Sequence, residues 1–144
     1  MITRVAVLGA GVMGAQIAAH CVNADVNVIL FDLPGKGDKP DGIVTRALDG
    51  LKKMDPSPLA AKDLVLHIEA ANYEQHLDRL RDCDLIIEAI AEKLEWKRDL
   101  FIKIAPYVRE GAILASNTSS LLIDTLAQTL PEKLRSRFCG VHFF

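Results

Sequence analysis

The stretch Val5-Ala6-Val7-Leu8-Gly9-Ala10-Gly11-Val12-Met13-Gly14 decides the fold. Its first four residues are an unbroken apolar run, as expected of a strand buried on both faces. The next six match G-x-G-x-x-G. Small and apolar residues then recur at helical spacing over 13–22, and 26–31 is a second apolar strand that ends at Asp32. That acid stands 23 positions beyond Gly9, close to the roughly 20 expected of a dinucleotide-binding strand-turn-helix-strand unit. Each glycine has a reason. Gly9 permits the tight turn, Gly11 lets the backbone approach a pyrophosphate, and Gly14 lets helix and strand pack closely. Ala10, Val12 and Met13 complete the turn, and the helix start offers free N–H groups to phosphates. Asp32 is placed to accept hydrogen bonds from ribose hydroxyls and to repel a 2′-phosphate. Leu33 and Pro34 follow it rather than an arginine, so NAD is the expected cofactor rather than NADP.

Outward from this unit, the pattern changes and then resumes. The run Pro34-Gly35-Lys36-Gly37-Asp38-Lys39-Pro40-Asp41-Gly42 holds turn formers and charges without apolar periodicity. A helix is expected over 43–54, with Ile43, Ala47, Leu48 and Leu51 on one side, stopped by Asp55-Pro56-Ser57-Pro58. A short helix over 59–63 completes what reads as a surface insertion. Strands are expected over 64–71, 84–90, 112–116 and 139–144, and helices over 73–81, 95–108 and 122–130. Trp96, Leu100, Phe101 and Ile104 form the inner face of the second of these helices, with Trp96 as its anchor. The alternation predicts an α/β fold of Rossmann type: a doubly wound, mainly parallel sheet with helices on both faces. The chain stops inside an apolar strand, which raises the expectation that a longer protein continues from it.

Composition bounds the rest. The 144 residues suit one domain, large enough to bury roughly 70% of its unfolded surface without staples. Seventeen Lys and Arg against nineteen Asp and Glu give a net charge of −2, which removes the general electrostatic case for nucleic acid or an acidic membrane surface. No apolar run approaches a membrane span, and no secretory leader pattern opens the chain. A cytoplasmic location is therefore expected. Cys21, Cys83 and Cys139 are widely spaced and read as reduced thiols rather than a disulfide or metal framework. His20, His67 and His76 form no ligand set, and no metal site is expected.

Two further segments carry chemistry. Ser116-Asn117-Thr118-Ser119-Ser120 follows a buried strand, where loops of doubly wound sheets line the ligand crevice; helix capping is the competing explanation. His142 sits between Val141 and Phe143, and on this ground alone a packed core histidine is the favoured reading over a catalytic one.

Four segments together resemble the NAD-binding domain of L-3-hydroxyacyl-CoA dehydrogenases. They are Val7-Leu8-Gly9-Ala10-Gly11-Val12-Met13-Gly14, Glu88-Ala89-Ile90-Ala91-Glu92, Ala115-Ser116-Asn117-Thr118-Ser119-Ser120-Leu121 and Gly140-Val141-His142-Phe143-Phe144. Their order and spacing cover nearly the whole chain, with the weakest match over 33–72. The resemblance implies that His142 is the general base for the substrate's 3-hydroxyl, a task suited to histidine. It implies that Ser119 hydrogen-bonds the substrate oxygen, that Asn117 shapes the same loop, and that Glu92 and Lys97 contact the cofactor. It also implies oxidation of (3S)-3-hydroxyacyl-CoA to 3-ketoacyl-CoA with NAD in fatty-acid β-oxidation, and a homo-oligomer. The family's C-terminal helical domain, which closes over the substrate and dimerises, is absent from these 144 residues. Another 3-hydroxyacid dehydrogenase, or a noncatalytic NAD-binding sensor or structural module, is the alternative.

Overall fold

The computed structural model describes residues 1–144. Six strands form one sheet: β1 (Arg4–Leu8), β2 (Asn27–Asp32), β3 (Ile68–Asn72), β4 (Leu85–Glu88), β5 (Ile113–Ser116) and β6 (Phe138–Gly140). Their order is β3-β2-β1-β4-β5-β6 and every pairing is parallel. The order reverses between β1 and β4, so the crevice above that junction is where a ligand is bound in doubly wound sheets. Helices α1 (Val12–Asn23), α2 (Gly42–Lys53), α3 (Leu94–Ile104), α4 (Ile123–Gln128) and α5 (Glu132–Arg135) complete the fold.

Burial follows the period of two along the strands. Val5, Val7, Val28 and Leu30 pack on one face with Ile17, Ala18 and Val22 of α1. Ala6, Leu8, Ile29, Phe31 and Ile86 pack on the other with Leu100, Phe101 and Ile104 of α3. Asp84 fastens the start of this arrangement. Its Oδ2 accepts from Thr3 N (2.8 Å), Thr3 Oγ1 (3.1 Å) and Arg4 N (3.0 Å), and Arg109 pairs with its Oδ1. The backbone donations from Thr3 and Arg4, helped by the Thr3 hydroxyl and the Arg109 charge, lower its carboxyl to about 2. A carboxyl lowered on folding stabilises the fold above its unfolded value of roughly 3.9, and that contribution is lost as pH falls toward 2. Asp84→Asn is therefore expected to be less stable than the parent at pH 7, with the gap closing between about pH 5 and pH 2. Urea unfolding across that range checks this; a gap that does not change with pH contradicts it.

Several expected elements differ in detail. The helix expected over 73–81 is a turn followed by a 3-10 segment, Leu77–Asp82. Asn72 stands before it, and its side-chain oxygen accepts the amides of Glu74 (3.0 Å) and Gln75 (2.9 Å), capping a single turn that does not continue as an α-helix. Likewise 62–67 is a 3-10 segment, and the strand begins only at Ile68. In α2 the inward stripe is Val44, Ala47, Leu48 and Leu51, and Ile43 faces out. The last strand stops at Gly140, so Val141–Phe144 lie beyond the ladder. The long helix ends at Ile104 and tightens into a 3-10 turn containing Pro106.

In α3 the inward residues are Lys97, Leu100, Phe101 and Ile104. Trp96 does not anchor the helix. It is 53% exposed, with Lys93 Nζ 4.1 Å from its ring centroid. The three thiols are free; burial pushes up Cys21, and pushes Cys83 up to about 11, which makes these two poor nucleophiles at neutral pH.

Candidate cofactor and substrate site

The glycine turn runs from the end of β1 into α1. Gly9 has φ +109°, a region L side chains rarely adopt, and a methyl there would lie 2.7 Å from the Ala89 carbonyl oxygen. A methyl on Gly14 would lie 1.7 Å from the Gly9 carbonyl oxygen. Above Gly11, by contrast, nothing lies within 4 Å of an added methyl. The start of α1 has no side-chain cap, so its first-turn N–H groups, which lack partners within a helix, remain for a ligand or water. Open space over Gly11, uncapped donors and a strand-end carboxylate together fit a dinucleotide.

Asp32 is part of the turn as well as of β2. Its Oδ2 accepts the Ala10 amide at 2.7 Å and its Oδ1 accepts the Leu33 amide at 2.6 Å. Each carboxylate oxygen keeps a second lone pair for a ribose hydroxyl. A cleft of about 1000 Å³ begins at Leu33 and runs along α2, lined by Lys36, Lys39 and Arg46 as well as Asp41 and Asp49. Positive charge is thus present in the cleft that begins just after Asp32. Asp32→Asn is expected to narrow the preference for NADH over NADPH at least about fivefold, on the scale of one screened charge contact. Calorimetric titration with both cofactors checks this, and an unchanged ratio removes the role from Asp32.

Across the crevice stands the turn after β4. Ala89 donates its amide to the Leu8 carbonyl at 2.8 Å, locking this turn against the glycine turn. Beneath it, Glu88 and Lys97 form a buried ion pair at 2.6 Å, 0% and 1% exposed. Glu92 is exposed, and its carboxylate accepts Thr118 Oγ1 (2.8 Å), the Ser119 amide (3.1 Å) and Ser120 Oγ (3.5 Å). Glu92 thus organises the hydroxyl loop. Lys97 is engaged with Glu88 and lies 3.9 Å from Glu92.

The hydroxyl loop in turn holds the end of the chain. The Ser116 carbonyl accepts the Val141 amide at 2.9 Å, and Asn117 Oδ1 accepts the Phe143 amide at 2.7 Å. These two bonds bracket His142, whose side chain is exposed, so it is not a packed core residue. Phe143 meets His20 edge-on at 6.0 Å. Ser119 is exposed in the same loop. Glycine turn, Asp32, Glu92, Asn117, Ser119 and His142 therefore all lie on segments leaving the carboxyl ends of neighbouring strands. Sequence reasoning gave no role to Glu88 or Thr118. The available signal was a glutamate closing the apolar run Leu85-Ile86-Ile87 and a lysine in phase with Leu100, Phe101 and Ile104. No group of three or more His, Cys, Asp or Glu side chains is arranged to hold a metal ion, and no helix is long and apolar enough to cross a membrane.

A parallel sheet of this order, with its glycine turn and strand-end acid at the reversal, has the form of a dinucleotide-binding domain. The chain belongs to the family described as 3-hydroxyacyl-CoA dehydrogenase, NAD binding domain, which matches residues 4–144. It is 47% identical over 144 residues to a protein of Rickettsia felis named as a fatty acid oxidation complex trifunctional enzyme, covering 99% of this chain and 20% of that protein. A protein of Deinococcus radiodurans named as a 3-hydroxyacyl-CoA dehydrogenase is 39% identical, covering 99% of this chain and 42% of that one. Among solved structures, the 3-hydroxybutyryl-CoA dehydrogenase of Escherichia coli K12 superposes with a TM-score of 0.81 at 30% identity, over 100% of this chain and 30% of that chain. The chain spans from a fifth to two-fifths of the length of these curated relatives.

Proposed function

We propose that this chain is the cofactor-binding part of an enzyme that oxidises (3S)-3-hydroxyacyl-CoA to 3-ketoacyl-CoA in fatty-acid β-oxidation. When bound, the nicotinamide supplies the hydride acceptor. His142 Nε2 or Nδ1 takes the proton of the substrate's 3-hydroxyl, Ser119 holds the same oxygen by a hydrogen bond, and Asn117 keeps the two segments in register. The α1 N-terminus, Gly11 and Asp32 hold the dinucleotide, and Glu92 and Lys97 border it. The observation that carries this reading is the 2.7 Å bond from the Phe143 amide to Asn117 Oδ1, which ties the histidine segment to the hydroxyl loop beside the cofactor crevice. A base and a substrate-oxygen partner must be held together near the hydride acceptor for this chemistry.

The reading assigns closure over the acyl chain to a helical domain in the length of the relatives that this chain does not span. It places the enzyme in the cytoplasm as a homo-oligomer that acts on acyl-CoA, without nucleic acid or membrane as a partner. The test is NADH formation from a short-chain (3S)-3-hydroxyacyl-CoA, measured for the 144 residues alone and within the full-length protein. Turnover by the full-length protein, with the 144 residues alone nearly inactive, is expected. No turnover by the full-length protein refutes the substrate assignment, and comparable kcat/KM for the two refutes the role of the helical domain.

A further inference from the structure

We infer that Glu88 is a positioning residue, acting through Lys97 and Ser116 to hold the cofactor turn and the hydroxyl loop in one arrangement. The inference rests on the cofactor assignment above and adds a residue to which that assignment gives no task. Glu88 closes β4 at the reversal of strand order, in register with Leu8 of β1 and Ser116 of β5. Its side chain is fully buried, yet it reaches three elements. Oε1 accepts Lys97 Nζ from α3 at 2.6 Å and the Ile90 amide at 2.8 Å, and Oε2 accepts the Ser116 hydroxyl. Lys97 Nζ also donates to the Ile90 carbonyl at 3.4 Å and faces Glu92 at 3.9 Å. The amide and carbonyl of Ile90 are therefore both taken by this one pair.

The consequences run to both sides. Ile90 belongs to the turn that Ala89 presses against Gly9, so the pair sets the wall opposite the glycine turn. Ser116 Oγ accepts the Thr118 amide at 3.3 Å, and the Glu88 carbonyl accepts the Asn117 amide at 2.8 Å. Glu92 meanwhile grips Thr118 and Ser119. Removing one member of a buried ion pair is costly, whereas replacing both with apolar groups of similar volume is often tolerated. A pair kept only for packing could therefore be replaced as a unit without functional loss. A pair kept for position could not, because an apolar replacement accepts neither the Ile90 amide nor the Ser116 hydroxyl and leaves Glu92 without its facing cation.

The experiment compares the parent with Glu88→Leu, Lys97→Met and the double variant Glu88→Leu/Lys97→Met. It reads urea unfolding, NADH affinity by fluorescence titration, and amide hydrogen exchange at Ile90 and Ser119. Both single variants lose stability, and the double variant recovers most of it. Exchange at Ile90 and Ser119, read without NADH so that any direct contact of Lys97 with the cofactor does not enter, nevertheless stays fast in the double variant, and NADH affinity stays about tenfold below the parent, the scale of one hydrogen bond to a charged group. If the double variant binds NADH as the parent does, with both amides protected, the pair is packing and the inference is overturned. Should a single variant fail to fold, the double variant still decides. Absence of NADH binding by the parent would refute the cofactor assignment, while exchange at Ser119 would still report on positioning.

Discussion

Gly14→Ala is expected to unfold the cofactor turn and abolish measurable NADH binding. The added methyl would sit 1.7 Å from the Gly9 carbonyl oxygen and 2.8 Å from its carbon. Both are backbone atoms, so no rotamer change relieves the contact. Gly9 cannot move freely either, because its amide is bonded to Phe31 O at 2.8 Å. The clash must be met by shifting α1 away from β1, which opens a face lined by Ile17, Ala18 and Ala19. A loss of about 3 kcal/mol or more is expected, at the upper end of overpacking effects. Gly11→Ala is the informative partner. Its backbone is extended at φ −72° and ψ −170°, and the site over it is open. Stability should stay within about 0.5 kcal/mol of the parent, while NADH binding weakens because the methyl enters the space a pyrophosphate needs. Urea unfolding and NADH titration of both variants separate the effects. Normal folding and binding in Gly14→Ala would contradict the turn geometry.

The second large effect is expected for His142→Ala in the full-length protein. Loss of a positioned general base lowers kcat about 10²- to 10⁴-fold, while NADH affinity should stay within about twofold, since His142 lies on the segment after β6 and the proposed dinucleotide contacts lie on the segments after β1, β2 and β4 and on α3. Steady-state kinetics with a short-chain (3S)-3-hydroxyacyl-CoA and a separate NADH titration give the two readouts. Retained turnover removes His142 from the chemistry. A parallel loss of NADH binding would instead make its role structural.

Much of this was legible in the residues themselves, for physical reasons. Strands buried between two helical layers must be apolar throughout, so β1, β2 and β4 announce themselves as short apolar runs. A turn that forbids side chains announces itself as glycine. Asp32 is legible because a carboxylate at the end of such a strand needs a partner. Less was legible where an apolar pattern is too short to fix the helix type or a charge is buried. The expected helix over 73–81 is a single turn capped by Asn72 and a 3-10 segment. Lys97 displaces Trp96 from the inner face of α3 because Glu88, nine residues earlier, neutralises it at 2.6 Å. Periodicity ranks tryptophan above lysine for an inward position and has no access to a partner on another element. His142 was ambiguous for the same reason: apolar neighbours in sequence say nothing about whether the strand has already ended.

The measurement that bears most directly on the cofactor crevice is an NMR titration of the 144-residue chain, labelled with nitrogen-15, with NADH. Saturable shifts are expected at the amides of Ala10 to Gly14, at Leu33 and at Ile90 to Glu92, on the three segments that surround the reversal between β1 and β4. Amides at Glu110, Gly111 and Arg137, which line a separate cleft, should not move. Shifts confined to the cleft along α2, or no saturable shift at the glycine turn, would contradict the assignment of the crevice.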